Sequence, residues 1–320
     1  MKDLIDDGSP HWDHEYSQNL VALDENPDAR IGIYDGMRMC AHAALWWREA
    51  ACLAEETIGV LGGFCADDES SAEMLLKEAQ TMLRDQSCSM VVGPMNGNTW
   101  RKHRFVSWSD GSPHFLLEPA TSEEHRAYWL SAGFKQLADY SSSRVELGRG
   151  STISDAVVNR LSLSGVRTRG VEVDRLEQEL AEIHRVCLES FRDNFLYVPM
   201  EQHEFVTRYM ALRAWISPEY VRVAEWHGML CGFVFSLPDP LAQRDGRAAE
   251  LIVKTLAVLP KRHFAGLGSL LVDQVHAAAE KNGLQVAIHA LQRNDNSSRR
   301  ITGRHQGVIF RKYEMLAKKI

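Results

Sequence analysis

The stretch that most constrains this chain runs from Leu251 to Gln274, where a strand, a glycine loop and a helix follow one another. The apolar, β-branched run that ends before Pro260 predicts a buried strand. A short basic loop then closes on Gly266 and Gly268. Beyond it, apolar residues recur at three- and four-residue steps, which predicts a helix with one buried face. These residues are Leu267, Leu270, Leu271, Val275 and Ala278. A helix start offers unpaired N–H groups and glycine lets an anion approach them, so the arrangement predicts an anion site.

Two widespread phosphate-binding loops do not fit this stretch. A P-loop requires Gly-Lys-Ser/Thr, whereas Gly268 is followed by Ser269 and Leu270. A dinucleotide-binding fingerprint requires a third small residue at the position where Leu271 stands. The bland alternative is a glycine turn between a strand and a helix that binds nothing.

A more specific match comes from the spacing Pro260-x-x-His263-x-x-Gly266-x-Gly268, directly after the strand end Leu256–Val258. This pattern resembles the acyl-CoA loop of the GCN5-related N-acetyltransferase (GNAT) superfamily. His263 is a departure, because the superfamily usually has Gln or Arg there. A histidine still donates a hydrogen bond to phosphate, although its charge depends on pH.

The resemblance implies that acetyl-CoA, or another acyl-CoA, is the co-substrate. In the superfamily the loop's N–H groups bind the diphosphate and the preceding strand hydrogen-bonds the pantetheine arm. The implied cofactor-binding residues are Leu256, Ala257, Val258, His263, Phe264, Ala265, Gly266, Leu267, Gly268 and Ser269, together with Asn296 on the pantetheine and adenosine side. Asn296 also suits a helix N-cap.

The chain repeats one plan. The segments 57–94 and 250–291 each read as strand, loop, helix, strand, and Tyr128–Phe134 resembles the superfamily's closing helix and Gly-Phe. We therefore expect an α/β (α+β) fold of two tandem GNAT-like domains, each a mixed, mostly antiparallel sheet flanked by helices. The expected divisions are an N-terminal arm (1–29), a first domain (30–150) and an acyl-CoA-binding domain (151–320), with the junction in the Gly/Ser-rich passage from Gly148 to Thr152.

The first domain reads as degenerate. Its loop, Ala66 to Ser71, has no glycine and three acidic residues, which repel a diphosphate. Further along, the pattern predicts a polar loop from Met95 to Arg104 and a strand from His114 to Glu118.

Composition excludes several classes of protein. The net charge of −7 and pI of about 6.0 argue against nucleic acid as a partner. The six cysteines form no C-x-x-C pair and the 13 histidines no metal-binding spacing, so we expect reduced thiols and no metal. The N-terminus is acidic and nowhere do 18 apolar residues run together. We expect a cytoplasmic protein with no membrane partner.

Acyl transfer from a thioester to an amine needs a base, an oxyanion donor and an acid for the thiolate. By the resemblance, the base is a glutamate on the strand before the loop, and Glu250 is the carboxylate there. The usual position falls nearer Ile252, on the same strand face. The alternative is an ordinary charged residue at a strand end. Lys254 is unusual inside this strand and could face the acceptor, the other domain or solvent.

The resemblance places a thiolate-protonating tyrosine where this chain has Gly303, so the acid is open. His305 and Tyr313 are the nearby substitutes. The oxyanion donor is implied to be a backbone N–H near Ala257 or Val258.

Acceptor recognition is expected from the loop between the first two helices of the second domain. Asn194 and Tyr197 are the candidates, with packing against the first domain as the alternative. Asn98, Trp100 and His103 of the first domain are unusual and favour a structural role.

These features predict an N-acyltransferase that moves an acyl group from acyl-CoA to a primary amine of a small molecule. One alternative takes the acyl group from a carrier protein's phosphopantetheine, and a second is a non-catalytic CoA-binding protein. The acceptor's identity and the formation of a homodimer are left open.

Overall fold

A computed structural model describes residues 26–320, and the predicted arm lies largely outside them. The N-terminal half (26–150) contains β1 Ala29–Asp35, β2 Arg38–Trp46, β3 Cys52–Leu53, β4 Glu56–Ala66, α1 Glu69–Asp85, β5 Met90–Gly93, β6 Phe105–Ser109, α2 Glu123–Ser131 and β7 Lys135–Glu146.

The C-terminal half (151–320) contains α3 Asp155–Leu163, β8 Val166–Gly170, α4 Leu176–Phe191, α5 Gln202–Met210, β9 Val221–Trp226, β10 Met229–Pro238, α6 Pro240–Arg244, β11 Glu250–Val258, α7 Leu267–Lys281, β12 Val286–Arg293, α8 Ser298–Arg304 and β13 Val308–Lys319. Short 3₁₀ turns occupy Val173–Arg175, Arg213–Trp215 and Arg262–Phe264.

All strands of the described chain belong to one mixed sheet or pair with it. The 13-stranded sheet runs β1-β2-β4-β5-β13-β7-β12-β11-β10-β9-β8, with β3 beside β4 and β6 beside β13. The parallel pairs among the described strands are β4 with β5 and β11 with β12, and the other pairs are antiparallel. The mixed, mostly antiparallel fold class predicted from the sequence is confirmed.

The last strand of each half lies in the other half. β13 of the C-terminal half inserts beside β5, and β7 of the N-terminal half inserts beside β12. The two exchanged strands then pair with each other along most of their length, from Val308 opposite Arg144 to Ala317 opposite Lys135. A boundary at residue 150 stays a prediction, but neither sequence segment completes its sheet alone.

Helices cover the sheet and divide its core. In the N-terminal half, α1 buries Ala72, Leu75, Leu76, Ala79 and Leu83, which is the apolar face that its spacing predicts. In the C-terminal half, α4 packs on β10 and β11, α7 packs on β9 to β11, and α5 packs against α4. A third cluster joins the halves around the exchanged strands and includes Tyr140, Tyr313 and Met315.

One local prediction was wrong. His114–Glu118 is not a strand, although Phe115 and Leu116 are buried, because apolar burial in a short run does not require extended backbone. The neighbouring Phe105–Ser109 forms β6 instead. The Ser-rich passage after residue 150 contains a helix, α3. Within residues 26–320, no helix combines the length and apolar character needed to span a bilayer.

Candidate active site

The parallel strands β11 and β12 diverge and open a cleft. They pair from Glu250 opposite Val286 to Val253 opposite His289, and the register ends there. Beyond that point a cleft of about 440 Å³ lies between them. Its walls are Val253–Val258 of β11, His289–Arg293 of β12, parts of the glycine loop and α7, and residues 296–298 and Ile301. Both polar and apolar residues line the cleft.

The glycine loop ends at one wall of this cleft. Gly266 caps α7 with a left-handed φ of 89° and supplies no side-chain cap. A Cβ there would lie 2.6 Å from the Val157 side chain, so glycine is required by both backbone and packing. Gly268 lines the cleft from the first turn of α7. The N–H groups of such a first turn have no intrahelical acceptor, which suits an anion.

Arginines surround the loop. Arg160 of α3 donates to the carbonyl of Ala265. Arg304 of α8 donates to Ser269 Oγ over 3.0 Å, which occupies that buried hydroxyl. Because both guanidinium groups stay positive, they add a favourable field for a diphosphate at the start of α7.

The structure brings most, but not all, of the expected cofactor residues to the cleft. The lining includes Leu256, Ala257, Val258, Phe264, Gly266, Gly268 and Asn296. His263, Ala265, Leu267 and Ser269 are outside it. The His263 ring packs on Trp226 and Phe264, with centroid distances of 4.8 and 3.9 Å, and its Nε2 is buried without a hydrogen-bond partner. His263, which departs from the superfamily pattern, therefore packs in a cluster of aromatic side chains and does not line the cleft.

Asn296 lies just before α8, whose N-cap is Ser297, and its role towards a cofactor stays a prediction. It lines the cleft, and its Oδ1 accepts from the N–H of Ser298 at the start of α8 over 3.2 Å. The amide therefore orders the helix start while its residue forms part of the cleft wall.

None of the three expected catalytic residues lines the cleft. Glu250 stands where β11 and β12 are still paired and accepts from Arg144 Nε over 2.8 Å, as a charged strand end does. Tyr313 is fully buried, and its hydroxyl donates to Glu118. His305 lies 3.1 Å from Asp273 Oδ1. Burial and the carboxylate of Glu118 raise the pKa of Tyr313 well above its ordinary value.

Lys254 is the first residue of β11 beyond the last paired position, and it lines the cleft. Its Nζ donates to the carbonyl of Leu117 in the N-terminal half over 3.2 Å. Arg104, also from that half, donates to the carbonyl of Leu291 over 3.2 Å and lies 4.1 Å above the Tyr140 ring. Burial, together with the charge of Arg104, lowers the pKa of Lys254 to about 7.

The loop that carries Asn194 and Tyr197, called the acceptor loop after its expected role, contacts the N-terminal half. Asn194 lines the cleft as expected. Tyr197 is not in the lining and packs on Trp100, with ring centroids 5.9 Å apart. Trp100 Nε1 donates to the carbonyl of Val198 over 2.9 Å. For Tyr197 and Trp100 the structure shows packing between the two halves.

One cleft-lining residue, His289, belongs to a pair of buried histidines that the sequence analysis did not predict. His289 lines the cleft, its Nε2 lies 3.1 Å from His276 Nε2, and its Nδ1 lies 2.8 Å from Thr302 Oγ1. Burial lowers the pKa of His276 to about 3 and that of His289 well below its ordinary value. Within residues 26–320, no group of His, Cys, Asp and Glu has the arrangement of a metal site.

The corresponding divergence in the N-terminal half is closed. β4 and β5 pair as far as Val60 opposite Val92. Beyond that point the N–H of Met95 donates to the carbonyl of Leu61, and Asn96 Oδ1 accepts from the N–H of Gly63 over 3.0 Å. The following helix, α1, is capped by Asp68, whose Oδ1 accepts from the N–H of Ser71 over 2.7 Å. In this half, backbone groups of β4 and of the helix start, which could otherwise bond to a cofactor, are thus hydrogen-bonded to other residues of the chain.

Each half has two parallel strands that part beside a helix start, and in the C-terminal half that helix is capped by glycine. The chain shares this fold with solved GNAT structures. A GNAT from Sphaerobacter thermophilus superposes with a TM-score of 0.52 at 11% identity, covering 88% of this chain and 77% of that one. A GNAT from Anabaena variabilis gives 0.56 at 8% identity, covering 97% and 66%.

A third structure, the glucosamine N-acetyltransferase region of a fungal multi-domain GH3 β-N-acetylglucosaminidase, gives a TM-score of 0.56 at 12% identity and covers 96% of this chain but 36% of that one. No protein-family model matches the sequence. Among curated proteins, Protein YghO of Escherichia coli (strain K12) is 22% identical over 183 residues, which is 54% of this chain and 45% of YghO. The match therefore spans less than half of that relative.

Proposed function

We propose that this chain is an acyl-CoA N-acyltransferase, and an N-acetyltransferase if acetyl-CoA is its donor. The observation that carries the proposal is the open divergence of β11 and β12 next to the glycine-capped start of α7. An extended thiol arm fits between strands whose hydrogen-bonding edges are free, and a diphosphate suits the helix start. The Ala257–Val258 segment of β11 supplies backbone groups for the arm and for an oxyanion.

We propose a primary amine of a small molecule as the acceptor. In such a transfer the neutral amine nitrogen attacks the thioester carbonyl carbon, the C–S bond breaks, and the thiolate takes a proton. Asn194 and Gln292 offer the cleft neutral polar groups for the acceptor. One structural neighbour is named a glucosamine N-acetyltransferase, which is in keeping with an amine acceptor.

We propose that the protein works in a reducing compartment such as the cytoplasm. All six cysteines are free, and Cys88, Cys187 and Cys231 are buried. Homodimer formation stays a proposal, to be checked by the mass of the protein in solution.

Calorimetric titration with acetyl-CoA tests the proposed function. Gly268→Glu places a carboxylate on the cleft side of α7, where a Cβ has ordinary contacts of 3.4 Å or more. We expect saturable binding by the wild type and, in this variant, binding weakened by at least about a hundredfold, roughly 2.7 kcal/mol. Ser70→Glu is the matched control, because Ser70 is the second residue of α1 as Gly268 is of α7.

The outcomes separate the candidate functions. Binding followed by thiol release with a panel of primary amines supports the transferase. Binding without turnover on any amine supports a non-catalytic CoA-binding protein. A folded wild type that binds neither acetyl-CoA nor CoA overturns the proposal, and acylated carrier protein is then the donor to test.

A further inference from the structure

The cleft needs a group that takes a proton from the acceptor's ammonium, and its lining narrows the choice. Within residues 26–320, the lining contains no carboxylate, and its ionisable side chains are Lys254, His289 and Arg293. Both ring nitrogens of His289 face polar partners, His276 and Thr302. Arg293 donates to Asp295 over 2.7 Å and lies over the Phe195 ring, and a guanidinium does not deprotonate near neutral pH. Lys254 remains.

Lys254 is placed where the reaction would occur. It is the residue at which β11 leaves β12, so its side chain stands at the narrow end of the cleft. The contact with the Leu117 carbonyl fixes Nζ by one donated hydrogen bond. A neutral amine that donates one N–H keeps its lone pair, and that lone pair is free to accept a proton.

The charged neighbours of Lys254 come from both halves. From the N-terminal half, Arg104 disfavours the ammonium form, whereas Glu118 favours it. Burial keeps His103 neutral by lowering its pKa well below the ordinary value. On the cleft side stand His289 and Arg293. The positive charge of Arg104 is fixed in place by the Leu291 carbonyl and the Tyr140 ring.

We propose that Lys254 is the general base of this enzyme, taking a proton from the ammonium group of a primary amine acceptor. The proposal rests on the proposed function. Lys254 Nζ accepts the proton and becomes an ammonium, and the acceptor becomes a neutral amine. Its nitrogen then bonds to the thioester carbonyl carbon and the C–S bond breaks. The thiolate takes one of the two N–H protons, the amide keeps the other, and Lys254 returns its proton to water.

The proposal predicts how the rate depends on pH. With a pKa of about 7, Lys254 is largely protonated below neutrality and largely neutral above it. The rate with a fixed amine should therefore rise with pH through neutrality and carry one acid limb. Burial makes the largest contribution to this pKa, and two residues of the N-terminal half adjust it in opposite directions, Arg104 downwards and Glu118 upwards.

The first experiment measures Lys254 without an acceptor. The folded wild-type protein is labelled with trace deuterated acetic anhydride at pH 5 to 10, and peptides are quantified by mass spectrometry. We expect Lys254 labelling to have its midpoint near pH 7, and Lys77, which is exposed on α1, is the reference lysine. Saturating CoA should protect Lys254 and leave Lys77 unchanged. A midpoint equal to that of Lys77, or no labelling of Lys254 at any pH, would overturn the proposal.

The second experiment measures turnover by thiol release with acetyl-CoA and the best amine of a panel. Lys254→Met removes the base, and Lys254→Arg keeps a permanent charge. We expect both to lower kcat/KM by about 10²–10⁴-fold and to lose the acid limb, while acetyl-CoA affinity stays within about twofold. Lys77→Met is the control. Unchanged turnover and an unchanged acid limb in Lys254→Met would refute the role.

Failure of the proposed function would look different. If the wild type binds CoA but acylates no amine, the transferase proposal fails, and the labelling experiment still decides whether Lys254 has the titration and the CoA protection that a base requires.

Discussion

The two halves of the sheet contain the same pair of diverging parallel strands, one pair closed and the other open. Past the last paired residue, the N-terminal half has Leu61 and Gly62, and the C-terminal half has Lys254 and Thr255. A Cβ at Gly62 would lie 2.3 Å from the Met95 carbonyl oxygen, so glycine there allows the chain to close the gap. In this comparison the closed divergence has a glycine, Gly62, past its last pair, and the open one has the larger side chains of Lys254 and Thr255.

The helix starts differ in the same sense. α1 is capped by a carboxylate, Asp68, whereas α7 is capped by Gly266, which brings no side chain. A carboxylate at a helix start satisfies the N–H groups and the positive helix end that a phosphate would otherwise use. In the N-terminal half a carboxylate of the chain therefore accepts from the N–H groups of the helix start. In the C-terminal half no side chain does so, which leaves the corresponding N–H groups for a ligand.

Gly62→Thr should break the closed divergence and has the largest expected effect. Because a Cβ meets the Met95 carbonyl and Asn96 Oδ1, we expect a loss of about 2–3 kcal/mol in the free energy of unfolding. Urea denaturation measures it. Gly303→Ala, where a Cβ meets nothing within 4 Å, is the tolerated control. Equal stability of the Gly62 variant and wild type would contradict the account of closure.

Trp100→Phe tests how the closed half supports the open one. The change leaves the Val198 carbonyl without its donor, so we expect a loss of about 1–2 kcal/mol in the free energy of unfolding, measured by urea denaturation. Trp108→Phe on β6 is the control, since Trp108 is 47% exposed. If both variants lose the same amount, the loop of the N-terminal half does not hold the acceptor loop.

His276→Gln tests, through the pH dependence of stability, the buried histidine pair beside the open cleft. The pKa of His276 is lowered to about 3 by burial, whereas an unfolded histidine titrates near 6.5. The unfolded chain therefore binds more protons between these values, and stability falls as pH drops from about 6.5 towards 3. We expect the variant to show a shallower fall of Tm with pH than the wild type and than His203→Gln, an exposed site on α5. Identical slopes would mean that burial of neutral His276 does not contribute to the pH dependence of stability.

Asp68→Ala has the smallest expected effect. Removing this cap should slightly lower Tm, because the N–H of Ser71 loses its acceptor. Acetyl-CoA affinity, measured by calorimetry, should not change, since the cap belongs to the closed half. A marked loss of affinity would mean that the closed half takes part in binding.

The sequence predicted what depends on local pattern. The strand, glycine loop and helix of residues 251–274 were found because turn chemistry and apolar spacing lie within one short segment. The degenerate character of Ala66–Ser71 was inferred from its charges in the same way and stays a prediction.

What the sequence left unresolved depends on distant residues. The contact of Lys254 is with Leu117, 137 positions away, so its direction within β11 was not readable from neighbours. The apolar residues of His114–Glu118 predicted that this run is buried, but they did not determine its backbone conformation. The exchange of β7 and β13 was missed because alternation along a strand identifies its faces and not its partners.

The exchanged strands also constrain the order in which the chain can assemble during synthesis. β13 lies beside β5, yet the whole C-terminal half separates them in the chain. A ribosome that has released residues 26–150 has therefore not yet supplied the strand that covers the edge of β5, and an uncovered strand edge favours unwanted pairing. The N-terminal half therefore reaches its final sheet only after the C-terminal half has been translated.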